Sequence, residues 1–342
     1  MSEAPTRAPD APDATTPISA VSEAELLAWI TGRVPDARVD SATRLGIGDD
    51  AAVLRFSGDA VVTTDTLVHG PDFRLAWSDA VSLGWKAAAV NLADIAAMGA
   101  RPTALLIALT LPATLPLGWV GEFYDGLVQA CGRFGDDIQV VGGDVTVSPT
   151  LTIAVTALGD LRGARAVLRS GAREGDVIAL AGEQGPAARG LRVLFERFRD
   201  EDGTPVPIDD ARLTAAERFD VSRQLRPEPP VRLGEQAAAA GAHALMDVSD
   251  GLVMDARRMA RASGVRFDFE AALLGDDPAS ALAGGEDHTL LAAFPADVAL
   301  PEGFRRVGRV YGAPAGEVTV DGTAYDARGG WDPYQDWDTA QG

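Results

Sequence analysis

Six short motifs set acidic side chains beside glycine, threonine or serine: Gly46-Ile47-Gly48-Asp49-Asp50, Thr63-Thr64-Asp65, Asn91-Leu92-Ala93-Asp94, Gly142-Gly143-Asp144, Asp247-Val248-Ser249-Asp250-Gly251 and Gly284-Gly285-Glu286-Asp287. Carboxylates and hydroxyls are hard oxygen donors. Gathering several of them is how a protein holds Mg²⁺ against the oxygens of a polyphosphate. Apolar runs flank each motif, which places these oxygens where strands and helices end rather than on free surface loops.

Each motif also has a plainer reading. Gly46–Ala51 matches the spacing of a dinucleotide fingerprint, but a β-like run follows it and two acids would face the pyrophosphate, so that reading is rejected. An ordinary glycine turn stays open. Asp65 interrupts the β-branched run Val61–Val68, where Asp is unfavourable. Thr63 and Thr64 alternate faces, so one hydroxyl can join Asp65 as a further ligand; a solvated edge strand is the alternative. Asn91 and Asp94 share one face of an Ala-, Leu- and Val-rich helix, where a lone carboxylate is costly unless paired, with metal or with Arg101. Asp144 follows the apolar run Ile138–Val141 and is expected at a strand's carboxyl end. Ser249 can cap the helix that opens at Leu252, and Asp250 suits its dipole, which leaves Asp247 unexplained. The glycines before Glu286 would let a ligand approach the backbone, with Glu286 accepting from a substrate amine or ring; a hairpin turn is the alternative. His69, His243 and His288 show no metal-ligand spacing.

Composition narrows the partners. Fifty acidic against thirty basic residues give a formal charge of −20, which repels nucleic acid and anionic lipid, so a polyphosphate ligand would arrive with its cations. Lys86 is the only lysine, and no Gly-Lys-Ser/Thr triplet exists, which excludes a Walker A loop. Cys131 is the only cysteine; this excludes an internal disulfide or a multi-thiolate zinc site, and its surroundings read as a buried helix face. No apolar run approaches the ~18 residues of a membrane span, and no basic-then-apolar signal opens the chain, so a cytoplasmic protein is expected.

The 342 residues suit about two domains. Residues 1–20 are rich in Ala, Pro and Thr and are expected to form a disordered tail. An N-terminal α+β domain over 21–161 is expected to hold a helix from Ser22 to about Gly32, opened by a Ser22/Glu25 capping box. Strands at 51–56 and 60–68, a helix at 78–98, a strand at 103–111, a helix at 117–134, and strands at 138–141 and 151–158 follow. A polar, Gly- and Arg-rich junction at 162–175 opens the C-terminal α+β domain, 162–337. Its expected strands are 177–181, 244–246 and 289–294, its helices 187–199, 231–240 and 252–263, with 200–230 a charged connection.

Taken in order, Gly46–Ala51, Thr64–Val68, Ala89–Ala100, Gly142–Asp144, Arg169–Ala172, Asp247–Leu252 and Gly284–Asp287 resemble the motifs of the thiamine-monophosphate kinases, within the aminoimidazole ribonucleotide synthetase-like superfamily. The resemblance runs from about Val21 to Trp337. It implies a two-domain α+β subunit, N-terminal sheets pairing into a barrel in a homodimer, and ATP with several Mg²⁺ ions in the interdomain cleft. By this resemblance Asp50, Thr63, Thr64, Asp65, Asp94, Asp144, Asp247 and Asp250 are metal ligands, and Gly143, Arg169 and Ser249 contact ATP. Glu286 and Trp331 would hold the thiamine end, and Asp72 stands where the family often has a substrate-contacting histidine.

The implied reaction moves the γ-phosphoryl of ATP directly to the phosphate of thiamine monophosphate. Joining two anions calls for charge neutralisation and alignment more than for a protein nucleophile. The chain departs from the family pattern at Glu286-Asp287-His288-Thr289, usually Glu-Asp-Tyr-Glu, and at Gly330-Trp331-Asp332-Pro333-Tyr334. The N-terminal reactive Cys and lysine of a selenophosphate synthetase and the C-terminal cysteine of a hydrogenase maturation protein are not present. Another superfamily enzyme, of the aminoimidazole ribonucleotide synthetase kind, and a non-catalytic Mg-ATP-binding module remain as alternatives.

Overall fold

Two β-sheets share one buried helix. The computed structural model describes residues 12–36, 38 and 41–331. Its helices are α1 (Glu23–Thr31), α2 (Ala80–Ala97), α3 (Leu117–Phe134), α4 (Pro186–Arg197), α5 (Ala215–Leu225), α6 (Leu233–Ala239), α7 (Leu252–Ser263) and α8 (Pro278–Ala283). Its strands are β1 (Thr43–Leu45), β2 (Val53–Leu54), β3 (Ala60–Val68), β4 (Arg101–Leu111), β5 (Gln139–Val147), β6 (Thr152–Asp160), β7 (Val177–Ala181), β8 (Ala244–Val248), β9 (Arg266–Phe269), β10 (Thr289–Phe294), β11 (Phe304–Tyr311), β12 (Val318–Val320) and β13 (Thr323–Ala324).

The strands divide into a β1-β2 ribbon, a four-stranded sheet β3-β6-β4-β5 and a seven-stranded sheet β13-β12-β9-β11-β7-β10-β8. Helix α2 explains why both sheets form one body. Apart from Val81, Trp85 and Asp94, all of its residues are buried, because its small Ala side chains let it pack against strands of both sheets at once. One apolar core accordingly runs from Leu105, Ile107 and Ile153 of the first sheet through Leu92 and Ile95 to Leu245, Leu290 and Phe294 of the second. Cys131 lies in it on α3, where burial pushes the thiol up to about 12. No helix among the described residues is long and apolar enough to cross a membrane.

Local signals placed most elements. The Ser22 capping box forms, with Ser22 N–H donating to Glu25 at 2.8 Å and Glu25 N–H returning to Ser22 Oγ at 3.3 Å. Several expectations need correction. The strand expected at 51–56 shortens to Val53–Leu54, because its partner is only the three-residue β1. Strand β5 does not stop before Gly142 but continues to Val147, since parallel pairing with β4 extends through Leu111 opposite Val147. Asp144 is therefore inside a strand, opposite Ala108. The connection at 200–230 contains α5, opened by a second capping box between Thr214 and Glu217. Strand β11 escaped notice because a register irregularity between Arg306 and Gly308 breaks its alternation.

Order also begins earlier than expected. Pro17 bridges to Pro116, and Ile18 is buried and donates its N–H to the Leu115 carbonyl at 2.9 Å, so residues 12–20 are held to the first sheet's side of the molecule. A single apolar anchor outweighs the polar composition around it. Residues 1–11 lie outside the described ones.

Asp160 ties the end of β6 to two loops. Its carboxylate accepts from Ser57 N–H (2.7 Å), Ser57 Oγ (2.8 Å), Gly58 N–H (3.0 Å) and Arg162 N–H (2.7 Å). Burial would raise this acid, but the hydrogen bonds outweigh it and hold the carboxyl below its ordinary 3.8. Its stabilisation is therefore full above that value and fades as pH falls through the depressed folded value. Asp160→Ala is expected to cost about 2 kcal/mol at pH 7 in urea unfolding. The gap from the parent should narrow below about pH 4; a gap independent of pH would contradict this account.

Candidate active site

The face of β3 turned towards α2 carries Thr63 and Asp65, two residues apart as strand alternation requires. Thr63 Oγ donates to Asp94 Oδ2 at 2.9 Å. Burial, and next the charge of Asp247, push the Asp94 carboxyl up to about 6, with Asp65 adding to the repulsion. Asp247 is inside β8, opposite Leu290, rather than after the strand as expected. Its Oδ2 lies 3.3 Å from His288 Nδ1. Burial alone would keep His288 neutral, but its contact with Asp247 and the nearby Glu286 and Asp94 raise it above the ordinary histidine value. Arg101 does not pair with Asp94; its partner is Asp137.

The turn before β10 splits two acids between opposite tasks. Glu286 (φ 67°) and His288 (φ 51°) both occupy the left-handed region, which is unfavourable for residues with a Cβ. Between them, Asp287 is buried and accepts from Gly185 N–H (2.7 Å) and Ala187 N–H (2.9 Å) at the start of α4. Glu286 instead forms an ion pair with Lys86 of α2, whose Nζ also donates to the Gln224 carbonyl at 3.2 Å. Burial would raise Glu286, but Lys86 and then His288 outweigh it and lower its carboxyl.

The space left by Gly285 is not open to a ligand. A Cβ there would lie 2.1 Å from the Ser249 carbonyl, to which Glu286 N–H donates at 2.9 Å, so the glycine admits the protein's own loop. Nor does Ser249 cap α7. Gly251 holds the cap position, and buried Asp255 accepts from the N–H groups of Ser249 (3.1 Å), Asp250 (3.1 Å) and Gly251 (3.3 Å). Arg258 reaches both Asp255, at 2.6 Å, and Asp250.

The residues expected to meet substrate approach the same region. Trp331 N–H donates to the Asp250 carbonyl at 2.9 Å, leaving the indole exposed. Asp72 accepts from Val68 N–H at 2.7 Å; burial raises it, and Glu286, Asp65 and Lys86 are close enough for their charges to act on it.

Other expected ligands stay apart. Thr64 faces the opposite side of β3, donating to the Val155 carbonyl at 3.0 Å. Asp144 is on β5, at the far edge of the sheet from β3, a separation of roughly 14 Å at strand spacing. Asp50 is exposed between β1 and β2, beside that same edge. Gly143, also on β5, lies so close to β4 that a Cβ would be 1.9 Å from the Ile107 carbonyl. Arg169 is exposed at the end of α7 remote from Asp250, its carbonyl accepting from Ser263. A groove of about 840 Å³, lined by Arg162, Arg165, Ser170 and His243, opens at that end, away from the carboxylate cluster. Among the described residues no three His, Cys, Asp or Glu side chains already converge as a metal centre.

Residues 48–161 match the model of the AIR synthase related protein N-terminal domain. A thiamine-monophosphate kinase of Mycobacterium tuberculosis is 41% identical over 87% of this chain and 88% of its own. The chain belongs to the thiamine-monophosphate kinase family. The crystal structure of thiamine-monophosphate kinase from Stenotrophomonas maltophilia superposes with a TM-score of 0.70 at 36% identity, covering 88% of this chain and 96% of that one. The structure of AaThiL complexed with AMPPCP and TMP superposes with a TM-score of 0.70 at 31% identity, covering 90% and 96%. These matches support the two-sheet α+β fold of the thiamine-monophosphate kinases over nearly the whole chain.

Sequence reasoning about this thiamine-monophosphate kinase family member passed over Lys86, Asp255, Asp287 and His288 as site-building residues. Lys86 carried a usable signal, since a cation in an Ala-rich buried helix needs a partner. Asp255 and Asp287 carried none, because only the tertiary structure shows which N–H groups they face. If Asp255 holds the 249–251 loop closed, Asp255→Ala should weaken hydrogen-exchange protection of those amides by tenfold or so while α3 amides keep theirs. Equal loss in both places would mean global destabilisation instead.

Proposed function

We propose that this chain transfers the γ-phosphoryl group of ATP to the phosphate of thiamine monophosphate, giving thiamine diphosphate and ADP. The observation that carries this is the gathering of Thr63, Asp65, Asp94 and Asp247 around α2 in a chain of the thiamine-monophosphate kinase family. A relative solved with AMPPCP, an ATP analogue, and TMP supports the same pair of substrates.

The donor set fits Mg²⁺: it consists of oxygens, and Asp94 is raised first by burial and then by the like charge of Asp247, both of which a divalent cation would offset. Asp65, Asp94, Asp247 and Asp250, with Thr63, would hold such ions, which would supply charge neutralisation for both phosphates. The chain's own part is binding and alignment. The acceptor oxygen is already anionic, so transfer in line requires no protein nucleophile or strong base. Glu286, Asp72 and Trp331 would hold the thiamine end and Ser249 the nucleotide, with Gly143 reaching it from a second copy's β5 edge, while Arg169 stands at the far end of α7. Incubation with Mg-ATP and thiamine monophosphate should yield thiamine diphosphate and ADP in equal amounts. Asp94→Asn should lower kcat by at least about a hundredfold without unfolding the protein. ADP without thiamine diphosphate would send the acceptor search elsewhere in the superfamily, and no ADP at all would favour a binding module.

A homodimer suits the distribution of ligands. Asp50 and Asp144 are on the β5 edge, the other acids near the β3 edge, and Val62 and Leu106 are exposed on the sheet face away from α2. A second copy would bring its β5 edge to the first copy's β3 and complete the set. Mixed dimers of Asp94→Asn and Asp144→Asn subunits then contain one intact site in two, and a random mixture should recover about a quarter of parental activity. A mixture as inactive as its components would place both acids in one chain's site.

A further inference from the structure

Lys86 is the chain's only lysine and is the one basic side chain of a helix buried against both sheets. Its side chain is 5% exposed, whereas that of its partner Glu286 is 41% exposed. The lysine is fastened from behind. Its Nζ donates to the Gln224 carbonyl at the end of α5, and α5's end is itself tied to α2 by Trp85 Nε1 to the Pro227 carbonyl (2.7 Å) and by Arg226 Nε to Ser82 Oγ (2.9 Å). The ammonium therefore holds its place, and the carboxylate is drawn to it.

Glu286 has reasons to be elsewhere. Asp65 and Asp72 are close enough to repel it, and its backbone is in the left-handed region. Without a fixed cation, a half-exposed glutamate among like charges would turn towards water. A carboxylate held in the cleft suits a ligand bearing an aminopyrimidine and a cationic thiazolium ring, as the acceptor proposed above does.

Building on that functional reading, we propose that Lys86 is a positioning residue. It holds the Glu286 carboxylate in the cleft and thereby sets affinity for thiamine monophosphate, with no part in binding ATP. Its action runs through Glu286, so the two residues form one energetic unit.

The test is a double-mutant cycle of Lys86→Met and Glu286→Gln, with kcat and the KM of each substrate measured separately and thermal unfolding recorded for every variant. Lys86→Met is expected to raise the KM for thiamine monophosphate about tenfold, with the KM for ATP within about twofold of the parent. In the Glu286→Gln background the same change should add less than about twofold. Lys86→Arg keeps the charge and should restore much of the acceptor affinity; it also serves as the folded probe should Lys86→Met unfold, a small KM shift confined to thiamine monophosphate being the expected outcome. Equal effects on both KM values, or additive effects of the two substitutions, would overturn the proposal. A parent enzyme that makes no thiamine diphosphate would instead overturn the functional reading on which it rests.

Discussion

Burial of one helix on two sides governs the rest of this structure. Helix α2 has so little exposed surface that its polar side chains turn to partners within the protein, although Asn91 Oδ1 is buried without one. Lys86 pairs with Glu286, Asn91 Nδ2 donates to the Ala87 carbonyl at 2.9 Å, and Asp94 accepts from Thr63. The partners come from β3, from α2 itself and from the turn before β10. The helix thus fixes not only the core but also the placement of Thr63 and Glu286 relative to each other.

The acids of this chain fall into two kinds. Asp160, Asp255 and Asp287 are each surrounded by backbone N–H groups and serve to fasten loops and helix starts. Asp65, Asp94 and Asp247 have few donors of their own, and their like charges repel one another. His288 offsets part of that repulsion. The remaining imbalance is the ground for the divalent cation proposed there, which would also offset the repulsion between a polyphosphate and an excess of twenty negative charges.

Strain is concentrated at the same place. The consecutive tasks of Glu286, Asp287 and His288 point in different directions: towards α2, towards the start of α4, and towards β8. A regular turn cannot aim three neighbouring side chains that way, and the two left-handed residues are the consequence. The close approach of the Ser249 carbonyl, which Gly285 permits, holds the turn against the 249–251 loop.

The sequence by itself determined the local elements. Capping at Ser22, the small-residue helix through Asn91 and Asp94, the apolar runs of β7 and β10 and the one-faced apolar spacing of α7 depend on neighbours a few residues apart, where periodicity and caps act. The motif order also carried the family, later borne out by relatives matching most of the chain. Only the tertiary structure decided which oxygens meet. Asp144 and Asp94 carry equally suggestive motifs, yet strand order sets Asp144 on the β5 edge while Asp94, on α2, meets Thr63 of the β3 edge, and Thr64 differs from Thr63 by the single residue that reverses a strand's face. Lys86 meeting Glu286 across two hundred positions, and Asp287 accepting from the N–H groups at the start of α4, likewise rest on long-range packing, because the geometry of a site is set by contacts that no local pattern encodes.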